Sequence, residues 1–301
     1  MTSWTAADAP DQTGRTALVT GANSGLGLQT TLALARKGAR VLMACRDAAR
    51  GQAALRRIEA EIPEARVELV ALDLAALSSV EAAAARVQER AAVLDLLVDN
   101  AGVMATPRRV TADGFEMQLG TNHLGHFALT GRLLPLLLAA SAPRVVVVSS
   151  GVHRIGAMHF DDLQSERSYS RWGAYGQSKL ANLLFARELG RRYPALCVAA
   201  AHPGYAATHL QNGHGSSMLA GVMKIGNAIL AQSDEAGALP SIYAATMPDV
   251  RTGDYWGPGR FELRGAPKRV KRSPAASDDA AARRLWEESE RLTRVVYPAA
   301  D

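Results

Sequence analysis

Apolar positions along this chain fall in short unbroken runs more than in alternation. Thr16-Ala-Leu-Val-Thr20, Arg40-Val-Leu-Met-Ala-Cys45, Val67-Glu-Leu-Val-Ala-Leu72, Leu94-Asp-Leu-Leu-Val98 and Arg144-Val-Val-Val-Val148 are rich in valine and leucine. Runs such as Val145 to Val148 fit strands of a parallel sheet covered on both faces by helices. Two further strands are expected near 196 and 253, giving about seven. Strand and helix patterns alternate through most of the chain with no Pro/Ser linker, so residues 1–301 read as one doubly wound α/β domain. Two segments stand apart. Polar residues 211–217 followed by Met218, Leu219, Val222, Met223 and Ile225 on a helical spacing suggest a lid over 209–232, although the same stripe suits core or a subunit contact. A C-terminal extension over 266–301 ends in a helix expected to be capped by Ser277, with Ala281, Leu285, Trp286 and Leu292 forming a stripe toward the body or a partner subunit.

Composition narrows the class. Of 301 residues, 48% are hydrophobic and 21% charged, as in a soluble globule with a sizeable core. The N-terminus has neither a basic start nor an apolar core, so no secretory signal is expected. The apolar stretch from Leu133 to Ala142 is too short for a membrane span and contains Pro135. Cys45 and Cys197 lie in or end expected strands and read as buried thiols, which suits a reducing cytoplasm. A net charge of +5 raises nucleic acid as a partner, but the dense cluster Lys268-Arg269-Val270-Lys271-Arg272 has no binding motif near it and is expected to be a solvated tail or loop. His123 and His126 are three apart without a completing ligand set, so no metal is expected.

Chemistry enters at Ala174-Tyr175-Gly176-Gln177-Ser178-Lys179, a helical stretch that places Tyr175 and Lys179 on one face. An ammonium roughly 4 Å from a phenol, at an effective dielectric of about 20, favours the phenolate by on the order of 4 kcal/mol. That would bring a tyrosine toward working pH. Near the N-terminus, strand, glycine turn and helix follow in the order a dinucleotide pyrophosphate needs: Gly21 leaves the strand, Gly25 admits the anion and Gly27 lets helix and sheet approach. The spacing is GxxxGxG, not the GxGxxG of the common fingerprint. After the second strand no acid stands where a ribose 2′-hydroxyl would be bound. Cys45 takes that place and Arg46 follows, which favours a 2′-phosphate and hence NADP(H); pairing of Arg46 with Asp47 is the competing use.

Together, Thr20-Gly21-Ala-Asn-Ser-Gly25-Leu-Gly27, Asp99-Asn-Ala-Gly102, Asn122, Ser149-Ser150, Tyr175-xxx-Lys179 and Pro203-Gly204-Tyr-Ala-Ala-Thr208 resemble the short-chain dehydrogenase/reductase family over residues 14 to about 210. Met43-Ala-Cys-Arg-Asp47, Asp113-Gly-Phe-Glu-Met117, Asn122-His-Leu-Gly-His-Phe127 and Ser178-Lys-Leu-Ala-Asn182 resemble its retinol dehydrogenase and protochlorophyllide reductase branch. The resemblance implies a Rossmann-type domain and a tetrad of Asn122, Ser150, Tyr175 and Lys179. Tyr175 would be the general acid and base, and Lys179 would hold the nicotinamide ribose and lower the tyrosine pKa. Ser150, with Ser149 as the fallback, would orient the carbonyl. Asn122, in a helix opened by Thr121, would hold a relay water. Cofactor positions implied in the same way are Gly21, Asn23, Ser24, Gly25, Leu26, Gly27, Arg46, Asp73, Leu74, Asn100, Ala101, Gly102, Pro203, Gly204 and Thr208, beside Tyr175 and Lys179 themselves. Asp73 would hydrogen-bond the adenine and Thr208 would reach the nicotinamide carboxamide. Asp99 departs from the family's usual asparagine. A homo-oligomer, dimer or tetramer, is also implied.

The expected activity is interconversion of a carbonyl and an alcohol on a bulky, mostly apolar small molecule. A non-catalytic NADP(H) sensor would not need the tetrad, and a nucleotide-sugar epimerase or dehydratase would need more chain than follows Gly204. Replacing Arg46 with alanine is expected to erode a preference for NADP(H) over NAD(H) when the two are compared by kcat/KM; an unchanged preference refutes the assignment.

Overall fold

The structure, a computed structural model, describes residues 4–204 and 233–299. Thr208 and the expected lid over 209–232 lie outside them. Eight strands form one sheet in the order β3-β2-β1-β4-β5-β6-β7-β8: β1 Thr16–Thr20, β2 Arg40–Cys45, β3 Val67–Ala71, β4 Leu96–Asp99, β5 Arg144–Val148, β6 Cys197–Ala201, β7 Tyr255–Arg260 and β8 Arg264–Arg269. The first seven are parallel and β8 alone is antiparallel. Helices α1 Gly25–Arg36, α2 Ala48–Glu61, α3 Leu77–Arg90, α4 Met117–Leu119, α5 Gly125–Leu138, α6 Arg171–Arg192, α7 Asp234–Thr246 and α8 Asp279–Thr293 cover the faces. None of the described helices is long and apolar enough to cross a membrane.

Both faces of the sheet are apolar because each is buried in its own core. Leu18, Leu42, Leu97, Val145 and Val147 face the layer of Leu129, Leu133, Leu180 and Leu184. Ala17, Val41, Met43, Val98 and Val146 face Leu28, Leu32, Ile58 and Ala245. The strict strand alternation persists in direction while both sets of side chains are hydrophobic, which is why the sequence shows runs.

Three local expectations change. The eighth strand extends the count of seven: Arg264-Gly-Ala-Pro-Lys-Arg269 has no apolar run, and a hairpin tip with Phe261 and Glu262 at φ 53 and 59 returns it onto β7. The basic cluster is therefore partly sheet rather than a solvated tail. Arg269 lies over the Trp256 ring at 5.4 Å and pairs with Asp254 at 3.2 Å, while the Arg272 guanidinium donates to Gly253 O at 2.9 Å. Lys268 and Pro267 discourage pairing along an edge strand. The last helix is capped by Asp278, whose carboxylate accepts from Ala280 N and Ala281 N, and not by Ser277. Its Leu285 and Trp286 pack on the body as expected: Trp286 meets Phe127 and Phe185, and the Tyr297 hydroxyl donates to Phe127 O at 2.6 Å.

Asp99, at the end of β4, is almost wholly enclosed. Its Oδ2 accepts from the Thr130 hydroxyl at 3.0 Å, and Oδ1 has no partner among the described residues. Burial pushes its carboxyl up to about 8 against that hydrogen bond. A carboxyl raised in the fold stabilises it most below its unfolded pKa of 3.8, and that contribution is lost as pH climbs to about 8. Asp99→Asn is expected to flatten this decline. Between pH 6 and 8.5 the variant should gain on the wild type by on the order of 2 kcal/mol in denaturant unfolding; parallel pH profiles would refute it.

Candidate active site

The carboxyl ends of β1, β4, β5 and β6 meet on one edge of the sheet, and most of the sequence-selected residues converge there. Gly21 and Gly25 adopt φ of 67 and 56, the left-handed region that glycine enters freely. At Gly27 a Cβ would stand 2.3 Å from Gly21 O and 2.6 Å from Asn100 Nδ2, so only glycine allows this approach of α1 to the turn. Ser24 is the N-cap of α1, yet its side chain makes no capping bond, which leaves that hydroxyl and the first-turn N–H groups available to an anion. Asn23 and Leu26 lie in the same turn and first helical turn, partly buried.

Thr20 ties this turn to the next strand. Its hydroxyl oxygen accepts from Asn100 N and Ala101 N, both at 2.9 Å, and lies 2.9 Å from His126 Nε2. His126 Nδ1 faces the Asn122 carbonyl at 3.0 Å and must carry a proton there. With burial holding the imidazole down at about 4, Nε2 is bare and receives the threonine proton. Asn100 Nδ2 donates to Thr20 O at 2.8 Å, while its buried Oδ1 finds no partner among the described residues. That orphaned acceptor and the glycine cradle fit a dinucleotide bound across Gly21–Gly27 and Asn100–Gly102. Asp73 and Leu74 follow β3: Asp73 Oδ1 accepts from Ala75 N at 2.9 Å, and the Leu74 carbonyl lies where a Cβ on Gly125 would be 2.4 Å away.

Cys45 ends β2 beneath the turn, and burial pushes its thiol up to about 11, opposed by the nearby N–H groups of Ala22 and Asn23. Arg46 beyond it is exposed. Asp47 instead caps α2 and pairs with Arg50, so the competing use of Arg46 is not seen among the described residues.

The residues expected to react come from α6, from the end of β5 and from a helix with a defect. Asn122 lies in a π-helical turn, Gly120–Leu124, between α4 and α5. This helical run is opened by Glu116, whose buried carboxylate accepts from Gln118 N and Leu119 N, and not by Thr121. The Asn122 amide is fully engaged: Oδ1 accepts from Val103 N at 2.8 Å, and Nδ2 donates to Val103 O and to Ser178 Oγ, each at 2.9 Å. A Cβ on Gly102 would lie 3.0 Å from Asn122 Oδ1 and 3.4 Å from Lys179 Nζ, so these three residues touch.

Lys179 Nζ donates to Val148 O at 3.1 Å and stands 5.9 Å from the Tyr175 ring centre. Of the serine pair, Ser149 donates to Lys179 O at 2.7 Å, whereas the Ser150 hydroxyl caps the next turn, accepting from Val152 N at 3.3 Å, and stands close enough to the Tyr175 phenol to favour its ionised form. The structure thus brings Ser150, Tyr175, Lys179 and Asn122 together and turns Ser149 to the main chain.

The expected lowering of the Tyr175 phenol is not found. Burial pushes it up to about 12, opposed by the Ser150 hydrogen bond. The same burial brings Lys179 down to about 8. Enclosure of both groups and the turn of the ammonium toward Val148 O are features that a four-residue spacing does not disclose. Thr20, His126 and Ser178 were the supporting residues missed as partners, although each stands inside a motif already singled out.

On the β6 side, Gly204 has φ 70, and a Cβ there would meet Leu263 O at 2.5 Å. Gly204 N donates to His202 Nδ1 at 3.2 Å, which fixes the Pro203-Gly204 corner.

Residues 15–218 match the profile described as short chain dehydrogenase. The chain is 41% identical to retinol dehydrogenase 13 of Homo sapiens, covering 95% of this chain and 86% of that protein. It is also 41% identical to polyprenol dehydrogenase of Mus musculus, covering 94% and 85%. Among solved structures, an uncharacterized protein from Mycobacterium paratuberculosis superposes with a TM-score of 0.83 at 44% identity over 99% of this chain and all of that one. An active-site complex of Pseudomonas aeruginosa RhlG with NADP matches at 0.65 and 27% identity, over 81% and 94%.

Thr20→Val keeps the shape of the side chain and strands two half-buried N–H groups. It is expected to cost roughly 1–3 kcal/mol in unfolding free energy and to weaken dinucleotide binding by about tenfold or more in fluorescence titration. Unchanged affinity would show that the Thr20 bonds do not organise the turn.

Proposed function

We propose that this chain, which belongs to the short chain dehydrogenase family and its retinol dehydrogenase-like branch, is an NADP(H)-dependent enzyme that interconverts a carbonyl and an alcohol on a bulky, mostly apolar substrate. The observation that carries the reading is the buried convergence of Tyr175, Ser150, Lys179 and Asn122 beside the glycine turn. Exposed Arg46, no acid at the end of β2 and a structural relative captured with NADP favour the phosphorylated cofactor.

Bound across the turn, the dinucleotide would supply or accept a hydride at the substrate carbon. The rest falls to the protein. Ser150 orients the substrate oxygen beside the Tyr175 phenol. Tyr175, kept protonated by burial, gives its proton to that oxygen in the reducing direction and recovers it in the other. Lys179 would hold the nicotinamide ribose, and its ammonium, 5.9 Å from the Tyr175 ring centre, puts positive charge near the phenolate as it forms, a few kcal/mol of help at about that separation and an effective dielectric of about 20. Asn122 holds the loop at Val103 against the helix that bears Ser178 and Tyr175.

Apolar substrate surface is at hand. The half-exposed Trp172 ring stands edge-on to Tyr175 at 6.1 Å, one helical turn ahead of it. Two of the relatives are named for retinol and polyprenol, both large apolar alcohols.

NADPH oxidation with aliphatic, aromatic and isoprenoid carbonyls is expected to show turnover on the long apolar members. Tyr175→Phe should lower kcat by about 10²–10⁴-fold while dinucleotide binding persists. Turnover confined to small charged carbonyls rejects the substrate class. An undiminished variant rejects the role of Tyr175.

A further inference from the structure

The 3₁₀ turn after β5, Gly151–Ile155, carries a buried histidine outside the tetrad. His153 Nδ1 lies 2.7 Å from Ser150 O, a carbonyl that can only accept, so Nδ1 bears the proton. On the other side of the ring, Ser273 N donates to Nε2 at 3.2 Å, so that nitrogen is bare. The two partners leave one arrangement: a neutral imidazole protonated at Nδ1. Burial disfavours the charged form in the same sense. The ring is further held by the Tyr255 ring, 5.5 Å away at 83°, and by the backbone bond from His153 N to the same Ser150 carbonyl. Beside it, Arg154 Nη2 donates to Lys271 O at 2.9 Å. Immediately beyond, a Cβ on Gly156 would stand 2.3 Å from Gly176 O, so this turn is pressed against the α6 backbone next to Tyr175.

We propose that His153 is a positioning residue, which clamps the Ser150 main chain to Ser273 of the C-terminal segment and so fixes the hydroxyl that faces Tyr175. This rests on the reaction proposed above and deepens it, because it makes residues 271–273 a support of the catalytic serine rather than an appendage. A hydroxyl displaced by about an ångström loses its alignment with the substrate oxygen. Misplacement on that scale costs up to about a hundredfold in rate.

The two bonds of the ring can be removed separately in the full chain. His153→Asn retains an amide N–H at the position of Nδ1 and forfeits Ser273; His153→Gln retains an acceptor toward Ser273 and forfeits Ser150. Either substitution opens the clamp, so His153→Gln and His153→Asn are each expected to lower kcat by about tenfold to a hundredfold with the KM for NADPH unchanged. Losses that only follow a fall in melting temperature would mean a structural role, and a wild-type kcat in either variant would show that the link to Ser273 does not position the serine; both overturn the proposal. A readout independent of turnover is the histidine ¹⁵N spectrum at neutral pH: the resonances missing from His153→Gln should report a protonated Nδ1 and a bare Nε2. Protonation at Nε2, or at both nitrogens, overturns it. Absence of wild-type turnover counts instead against the functional reading.

Discussion

Backbone groups that run out of sheet partners at the carboxyl ends of the central strands govern this structure. A parallel strand that stops leaves carbonyl and N–H groups in a dry interior, where each must be paired. Side chains from the following turns and helices do that pairing. The Thr20 hydroxyl takes two N–H groups after β4, Lys179 and Asn182 take Val148 O, Ser149 takes Lys179 O, and Asn122 takes both groups of Val103. These bonds lie at or just beyond the carboxyl ends of β4 and β5, the edge where the glycine turn also lies. The bonds that satisfy the main chain are therefore the ones that gather Asn122, Lys179 and the glycine turn together.

What could be read directly from the sequence was what is contiguous. The glycine turn, the apolar runs of β1, β2, β3 and β5 and the Tyr175–Lys179 spacing depend on neighbours within a few residues, so pattern and element coincide. Strand β8 was hidden because a charged, proline-containing edge has no apolar signature, and its pairing depends on a hairpin tip with two consecutive left-handed residues. The caps moved by one to five residues, from Ser277 to Asp278 and from Thr121 to Glu116, since serine, threonine and acids compete for the same role and tertiary contacts decide between them. Relations between distant residues, such as Thr20 with His126 or Ser150 with Ser273 through His153, leave no local trace.

The protonation pattern belongs to that second kind. Spacing predicted that an ammonium would draw the phenol downward; enclosure of both groups proves the larger effect, raising one and lowering the other. The result is a donor held in its protonated state with a softened cation nearby. Asp99 follows the same logic, since a carboxyl with one hydrogen bond in an apolar setting resembles the neutral amide that the family usually places there.

The π-helical turn at Gly120–Leu124 couples two surfaces that an ordinary helix would set at another angle. One residue advances an α-helix by about 100°, so excising a residue there would swing everything on its amino side around the axis. Gln118, whose amide spans Ala105 N, the Tyr169 hydroxyl and Arg171 O, would be carried off those three anchors. The bulge thus acts as a phase shifter: it lets one continuous rod present Gln118 to the loop roof and Asn122 to Val103 and Ser178, and its residue count leaves no slack.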